Sequence, residues 1–372
     1  MNQYALKHET SPSTTDLTEA VVAELIRRGA NREGHGRGTI LRHLTGTHDI
    51  LAVWNQPERV CFAGLLHNAY STEAFTPALF DLSERDQVRA MIGAAGERLV
   101  HIFGRIKREM LFNHLQASGG KIAAPFRLED RVDGGELELD RRDVGDLLVL
   151  YLANLADQAA MADGGPALWL ASASRIANWV AQNAEVVPPV LDNCRAEISD
   201  EADEAALAAY DTALRSIAGD LHFAKARLEE TTAHLPFVAE PFLWLACLAF
   251  ANGDTAGAKA AFAQSRLLFE QWGTSWDKRL PISQQHALFA ALAVLLEKSP
   301  SDEAQCAVKR TLKAVTNSPW NFYQALAEAG LIDAPTAEDA RDAQVFSPKF
   351  AAFPARFRDY LKQHMGGNGA PM

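Results

Sequence analysis

Hydrophobic residues recur at three- and four-residue steps through most of the chain, which is the spacing of amphipathic helices. This spacing predicts a first helix over 16–28 and a second over 39–54. The stretch VCFAGLLHNAY, which follows a proline, is apolar on every face, and such a helix must be buried all round. The same periodicity predicts further helices over 83–93, 95–112, 144–161 and 166–183. The chain is therefore expected to be an all-α protein.

Two segments depart from the helical pattern. PFRLEDRVDGGELELD alternates apolar and polar residues around Asp133–Gly135, which predicts one small β-hairpin. The paired prolines of VVPPVLDN (186–193) end a helix and stiffen the connection that follows. We therefore expect a flexible N-terminus over 1–15, a helical bundle over 16–185 and a second domain over 194–364.

Beyond this linker the sequence becomes rich in alanine and favours paired helices. One pair has small and large residues at the spacing of a tetratricopeptide hairpin, with Gly253-Asp254 at its turn. The residues that carry this spacing are Phe242, Leu245, Ala246, Ala258 and Phe262. The pattern predicts a helical-hairpin, tetratricopeptide-like domain, with generic paired helices as the alternative. The concave face of such a domain could hold a protein partner.

Charge and composition narrow the classes of partner. The 372 residues carry a net charge of -11 without a block of lysine and arginine, so nothing favours nucleic acid or anionic lipid. The densest basic stretch, Arg105–Arg108, is interpreted as solvated surface. No apolar run has the length of a membrane span, and the N-terminal residues lack the features of a secretory signal. We therefore expect a cytoplasmic protein that acts on a small-molecule substrate and binds neither nucleic acid nor a membrane.

Three predicted helices each place a ligand-type side chain on an apolar face: His43, the pair His67-Asn68, and Asp157. Burying such groups without partners would cost about a few kcal/mol each. A metal ion at the junction of the helices would satisfy all of them, and two imidazoles with one carboxylate suit zinc, iron or manganese. The alternative is hydrogen bonding alone, with Asn154 and Asp157 paired to His43 or His67.

The stretch HGRGTILRHLTGTHDILAVWNQPERVCFAGLLHNAYSTEAF and the later LANLADQ carry a resemblance to the HD-domain superfamily of helical metalloenzymes. More closely, they look like an uncharacterised family of HD-like domains, over roughly residues 30–160. The resemblance implies that the metal-binding positions of the superfamily fall on His43, His67, Asn68 and Asp157. Asn68 is neutral where the superfamily has a carboxylate, which favours one metal ion or none over two. His35 could supply a replacement ligand from the glycine-rich loop.

Residues near these positions could carry the chemistry. Glu73, shortly after His67, could act as a general base or orient a ligand histidine, and could instead cap a helix. Arg37, Arg127 and Arg131 could neutralise an anionic substrate such as a phosphate, or form surface salt bridges. The hairpin that contains the last two arginines could cover the mouth of a pocket.

Three functions follow from these observations. The primary prediction is a hydrolase that uses one divalent iron, manganese or zinc ion on a small phosphorylated or otherwise anionic substrate. Two histidines and one carboxylate also suit a mononuclear non-haem iron oxygenase. The third possibility is a non-catalytic scaffold, in which Asn68 marks a decayed site and the C-terminal helices hold a protein partner.

Overall fold

The computed structural model describes residues 14–35, 38–122, 126–158, 168–191, 200–274, 276, 282–297, 301–312 and 325–331. Helices make up most of this part of the chain. They are α1 (Thr14–Arg27), α2 (Ile40–Val53), α3 (Glu58–Leu66), α4 (Arg85–Arg105), α5 (Arg108–Ala117), α6 (Arg141–Gln158), α7 (Leu168–Asn183), α8 (Asp200–Ser216), α9 (Leu221–His234), α10 (Ala239–Ala251), α11 (Thr255–Trp272), α12 (Ile282–Glu297) and α13 (Asp302–Leu312).

The predicted hairpin is present. Strand β3 (Phe126–Glu129) pairs antiparallel with β4 (Glu136–Leu139). The prediction of an all-α fold with one small hairpin is thereby confirmed. A minimal ladder of two residues per strand, β1 (Gly34–His35) with β2 (Gly38–Thr39), lies in the glycine-rich loop, for which no strand was predicted.

The all-apolar helix α3 lies at the centre of the N-terminal bundle. Residues 60–66 are all buried, which confirms the prediction for this helix. It packs against α2 and α4, while α6 packs against α2. At Gly64 the helices α2 and α3 come close together, since a Cβ there would lie 2.5 Å from Leu51 Cδ1. This approach places the end of α3 against α2.

Two helix breaks in this bundle have different origins. Gly93, with φ 77° and ψ 163°, kinks α4 at the boundary between the helices that the sequence predicts over 83–93 and 95–112. The helix predicted over 95–112 is wrong in its extent, because α4 ends at Arg105 and α5 begins at Arg108. Distant residues bind the two ends: the Arg105 carbonyl accepts from Arg131 N at 2.8 Å, and Arg108 N donates to Glu73 Oε2 at 3.0 Å. The hydrophobic pattern around residues 105–108 could not predict these partners, because both lie far away in the sequence.

The C-terminal half is a series of neighbouring helices, with α8 against α9, α9 against α10 and α10 against α11. The predicted turn at Gly253-Asp254 joins the last pair, and the Asp254 side chain caps α11 by accepting from Gly257 N. The comparison with tetratricopeptide hairpins and the domain boundaries remain predictions. Residues 1–13 and 332–364 of the predicted domains lie outside the described residues.

The two halves meet at a group of tryptophans beside the end of α2. Trp54 donates from Nε1 to the carbonyl of Trp272 at 3.2 Å, and the two rings lie 5.6 Å apart. Trp276 meets Trp272 edge-on at 4.7 Å, and all three indoles are buried. Because α2 also carries His43, the C-terminal half packs against a helix that forms the candidate site. In the part of the chain described, no helix is both long enough and apolar enough to cross a bilayer.

Candidate functional site

Three residues named from the sequence meet where α2, α3 and α6 come together. His43 Nδ1 lies 2.6 Å from Asp157 Oδ2, and His43 Nε2 lies 3.0 Å from His67 Nε2. His67 and His43 are 1% and 4% exposed, whereas the Asp157 side chain is 24% exposed. The junction therefore holds an Asp–His–His chain that reaches solvent at its carboxylate end.

The partners of these side chains determine where the imidazole protons lie. His67 Nδ1 is 2.8 Å from the Gly64 carbonyl oxygen, which can only accept, so this nitrogen carries the proton. His43 Nδ1 donates in the same way to the Asp157 carboxylate. When neither Nε2 carries a proton, each ring turns the lone pair of Nε2 toward the other ring. Two lone pairs 3.0 Å apart require a proton or a cation between them.

A divalent cation fits this arrangement in two respects. Histidines that bind metals donate their other ring nitrogen to a carboxylate or a backbone carbonyl, and both histidines do so here. Two nitrogens at about 2.1 Å from one ion, at roughly 90–110° to each other, lie about 3.0–3.4 Å apart. The observed separation of 3.0 Å is close to this range. The pair therefore suits two neighbouring positions around one ion.

Asp157 lies at Nδ1 of His43 rather than beside the two Nε2 atoms. Its carboxylate therefore orients His43, and it rests on Gly46, where a Cβ would overlap it. Within the described ranges, no three histidine, cysteine, aspartate or glutamate side chains are grouped so that they could hold a metal ion. Among these residue types, the imidazole pair is the part of the predicted metal site that the fold assembles.

A further polar side chain, Asn154, lies one turn before Asp157 on α6. It is 4% exposed, and its Oδ1 accepts no hydrogen bond from the described part of the chain. Leaving a buried acceptor unpaired costs about 1–3 kcal/mol. The amide oxygen therefore needs a donor or a cation that the described side chains do not provide.

The loop that follows His67 is held in an uncommon conformation. Ser71 has φ 67°, in the left-handed region that residues other than glycine rarely adopt. Arg131 holds the loop, because its Nη2 donates to Ser71 Oγ at 3.3 Å and its Nε donates to the Gly104 carbonyl at 2.6 Å. A Cβ on Gly104 would lie 2.8 Å from the Ser71 carbonyl, so α4 lies directly against the loop. Arg131 thus ties the hairpin turn to the segment next to His67.

Glu73, in the same loop, is exposed and accepts from Arg108 N at 3.0 Å. This contact caps the start of α5, where a carboxylate is favoured by the helix dipole. The sequence allowed Glu73 to cap a helix or to act as a general base. Its described contact is a helix cap.

The basic stretch Arg105–Arg108 is solvated, as the sequence suggested, only at Lys107, which is exposed. Arg105 is buried and pairs with Asp130, at 2.5 Å, and with Asp133. The Arg108 guanidinium lies 5.1 Å from the centre of the Tyr151 ring, and its Nε is buried with no hydrogen-bond partner among the described residues. The local sequence pattern does not reveal these contacts, because the partners of the two arginines lie far away in the chain.

Aromatic rings connect Arg108 to the histidines. The Tyr151 ring packs against Phe103 at 4.6 Å, and Phe103 packs against His67 at 5.1 Å. Burial raises the pKa of the Tyr151 hydroxyl well above its usual range, so it stays protonated. The histidine pair therefore has a cationic group on the far side of two aromatic rings.

A second buried polar cluster lies beside the same loop. Arg85 binds both oxygens of the Glu97 carboxylate, at 2.6 and 3.0 Å, and the Tyr70 hydroxyl donates to Glu97 Oε1 at 3.2 Å. Burial opposes ionisation of Glu97, but the hydrogen bonds and charge of Arg85 leave its pKa below the usual value. Burial and the nearby carboxylate raise the pKa of Tyr70 well above its usual range. This cluster anchors the start of the loop.

The remaining predicted residues are an exposed arginine, a buried asparagine and two positions in the glycine-rich loop. Arg127 is exposed and pairs with Glu136 and Glu138 of the opposite strand, which is the surface role allowed for it. Asn68 is buried next to His67. His35 contributes its backbone to β1, while its side chain and Arg37 lie outside the described part of the chain.

Comparison with known proteins adds one similarity. A family model described as a domain of unknown function (DUF6817) matches residues 24–108. No curated protein and no solved structure matches the chain. The matched segment runs from α1 to the start of α5 and contains His43 and His67 but not Asp157. The chain is therefore similar to this family over the segment that supplies the imidazole pair.

Proposed function

We propose that the N-terminal helical bundle is the catalytic unit of a metal-dependent hydrolase for a small phosphorylated or otherwise anionic substrate. The observation that carries this proposal is the 3.0 Å approach of the Nε2 atoms of His43 and His67, each ring having its Nδ1 engaged by an acceptor. The resemblance to the HD-domain superfamily implies the same ion-binding role for these two residues.

In this proposal His43 and His67 hold one divalent iron, manganese or zinc ion. Asp157 keeps the proton on Nδ1 of His43, so that Nε2 presents its lone pair. Such an ion supplies Lewis acidity, which stabilises negative charge on an ester oxygen during hydrolysis. The near-complete burial of both rings lowers the local dielectric constant and strengthens this interaction.

The surroundings of the His67 loop favour an anionic substrate. Arg131 lies at the loop, and Arg108 has a buried Nε without a partner in the described part of the chain. Guanidinium groups bind phosphate and carboxylate oxygens in a bidentate manner. We therefore propose that Arg131 contributes a substrate contact, as the sequence suggested for it together with Arg37 and Arg127. Arg108, which lies beyond the Phe103 and Tyr151 rings, would add positive charge without touching the substrate.

The test is turnover by the full-length chain after chelator treatment and reloading with Mn²⁺, Fe²⁺ or Zn²⁺. A panel of phosphomonoesters and phosphodiesters should include at least one substrate whose kcat/KM falls by about 100-fold or more in His67→Ala. Arg108→Met should mainly raise KM. The exposed His114 of the same bundle offers a matched control, and His114→Ala should leave the rate unchanged. Metal-loaded protein that hydrolyses nothing in the panel would refute the proposal.

The iron oxygenase fits the geometry less well. It requires two histidines and a carboxylate on one ion, and here the carboxylate is engaged at the far nitrogen of His43. Substrate-dependent oxygen uptake with Fe²⁺, abolished by His43→Ala, would reverse this preference.

A non-catalytic scaffold is the second candidate, because the described residues contain no group of three acidic, histidine or cysteine ligands. In that case the C-terminal helices would bind the protein partner. Elemental analysis separates the two: near-stoichiometric metal that is lost in both His43→Ala and His67→Ala supports the hydrolase. A well-folded chain that takes up no metal supports the scaffold.

We also propose that the protein works in the cytoplasm. The support is that the described cysteines Cys61, Cys247 and Cys306 are free thiols, which persist in reducing compartments. Fractionation of cells that express the tagged chain tests this location.

A further inference from the structure

The side chain of Asn154 is buried without the partner that its burial demands. It is 96% removed from solvent, since only 4% remains exposed, and its Oδ1 accepts no hydrogen bond from any described residue. Burying an amide oxygen in this way costs about 1–3 kcal/mol. An apolar residue of similar size would avoid that cost, so a group that the described chain does not contain is expected to bind the oxygen.

The geometry of α6 turns Asn154 toward the imidazole pair. Tyr151, Asn154 and Asp157 follow at three-residue steps and lie within an arc of about 120° on the helix surface. At one end of the arc, Asp157 contacts His43 at 2.6 Å. At the other end, Tyr151 packs on Phe103, which packs on His67. Asn154 lies between these two contacts and therefore faces the junction of the rings.

We infer that Asn154 Oδ1 is a third protein ligand of the cation held by His43 and His67; this inference rests on the proposed function. Amide and carbonyl oxygens are hard donors that suit Mn²⁺, and imidazole nitrogens accept the same range of divalent ions. Two imidazoles and one amide form a neutral donor set. Of the residues that form this site, only Asp157 behind His43 carries a negative charge, so a divalent ion would keep an attraction for an anionic substrate.

The test is calorimetric titration of Mn²⁺ alone into the chelator-treated full-length chain, together with thermal unfolding of the same metal-free protein. Asn154→Leu removes the oxygen and nearly keeps the volume, so Mn²⁺ affinity should fall at least about tenfold. The Tm of the metal-free variant should stay the same or rise, because an unsatisfied acceptor has been removed. Asn154→Asp, which restores an oxygen ligand, should bind Mn²⁺ at least as tightly as the wild type.

Asn183→Leu is the matched control, because Asn183 is also a buried asparagine but its amide donates to the carbonyl oxygens of Gly120 and Trp179, away from the imidazole pair. It should leave Mn²⁺ affinity within about twofold. Wild-type affinity in Asn154→Leu, combined with loss of binding in His67→Ala, would overturn the inference and leave the proposed function standing. A drop of several degrees in the metal-free Tm of Asn154→Leu would also overturn it, by assigning the amide to structural hydrogen bonding. A wild-type chain that binds none of Mn²⁺, Fe²⁺ and Zn²⁺ would overturn the proposed function itself.

Discussion

Two buried polar clusters lie in the same helical bundle and differ in the kind of contact at their centre. The Glu97 carboxylate is 1% exposed. It accepts hydrogen bonds from Nε and Nη2 of Arg85 and from the Tyr70 hydroxyl. At the other cluster, the Nε2 atoms of His43 and His67 face each other at 3.0 Å. A saturated carboxylate has no capacity left for a ligand, whereas facing lone pairs require a proton or a cation.

This difference separates a polar group that stabilises the fold from one that is suited to binding. Both clusters border one loop, because Tyr70 follows His67 by three residues and its hydroxyl is held by Glu97. The Glu97 cluster therefore positions the segment beside the imidazole pair. Substitutions in the two clusters should have different signatures, in unfolding free energy for the first and in cation affinity for the second.

The largest effect is expected for Arg85→Met, which leaves the Glu97 carboxylate buried without its main partner. Breaking a buried ion pair on one side costs about 3 kcal/mol of unfolding free energy, measured by urea denaturation. Arg89→Met is the control, since Arg89 is more exposed and lies 3.4 Å from the same carboxylate, and it should cost below about 1 kcal/mol. Equal losses in the two variants would mean that Glu97 is not held as a buried charge.

The next effect is expected for Gly46→Ala, because the added Cβ would overlap the Asp157 carboxylate. Overpacking costs about 1–3 kcal/mol, although alanine is otherwise favoured in a helix. The displaced carboxylate should also release His43 and weaken Mn²⁺ binding. Gly34→Ala serves as the control, because a Cβ there meets no atom within 4 Å. Unchanged Tm and Mn²⁺ affinity in Gly46→Ala would show that α6 does not rest on this glycine.

Asp157→Asn should act mainly on binding. The amide is a poorer acceptor for His43 Nδ1–H, and weakening the partner of a ligand histidine lowers metal affinity by about 10–100-fold. Calorimetry with Mn²⁺ measures this loss, while urea denaturation of the metal-free chain should show a change below about 1 kcal/mol, since Asp157 is partly exposed. A large loss of stability with unchanged Mn²⁺ affinity would mean that Asp157, like Glu97, stabilises the fold rather than the metal site.

The smallest effect concerns pH. Burial, and then the charge of Arg85, lower the pKa of His101, and its Nδ1 is buried without a partner in the described chain. The folded chain therefore binds fewer protons here than the unfolded chain, so stability rises with pH toward the ordinary value of 6.5 and falls on acidification below it. His101→Gln should make the pH dependence of the unfolding free energy between about pH 7.5 and 5.5 shallower, by less than about 1 kcal/mol, as measured by urea denaturation. A steeper pH dependence of stability in His101→Gln would contradict a lowered pKa of His101 in the folded chain.

Much of the fold could be predicted because helix formation is local. The apolar residues of α3 required burial on every face, and Gly93 broke the helical pattern at the place where α4 kinks. The end of α4 could not be predicted in this way. Arg105 and Arg108 look like exposed helix residues until the hairpin turn and Glu73, far away in the chain, bind their backbone groups.

The candidate site shows the same division. Periodicity placed His43, His67 and Asp157 on inward faces, and these residues do meet. It could not show that Asp157 lies at Nδ1, because the orientation of an imidazole depends on which acceptor each ring nitrogen finds. It also gave no reason to prefer Arg108 to Arg127, since the difference lies in what each guanidinium packs against.

The sequence by itself determined the helices, the small hairpin and the identity of the polar residues that must be buried, because each follows from the pattern of neighbouring residues. The tertiary structure decided which buried groups satisfy one another. It paired Glu97 with Arg85, set the two imidazole lone pairs face to face and left the Asn154 oxygen without a partner in the described chain. Whether a hydrogen bond forms depends on differences of a few tenths of an ångström in the distance between residues that are far apart in the chain, and only the packed helices set those distances.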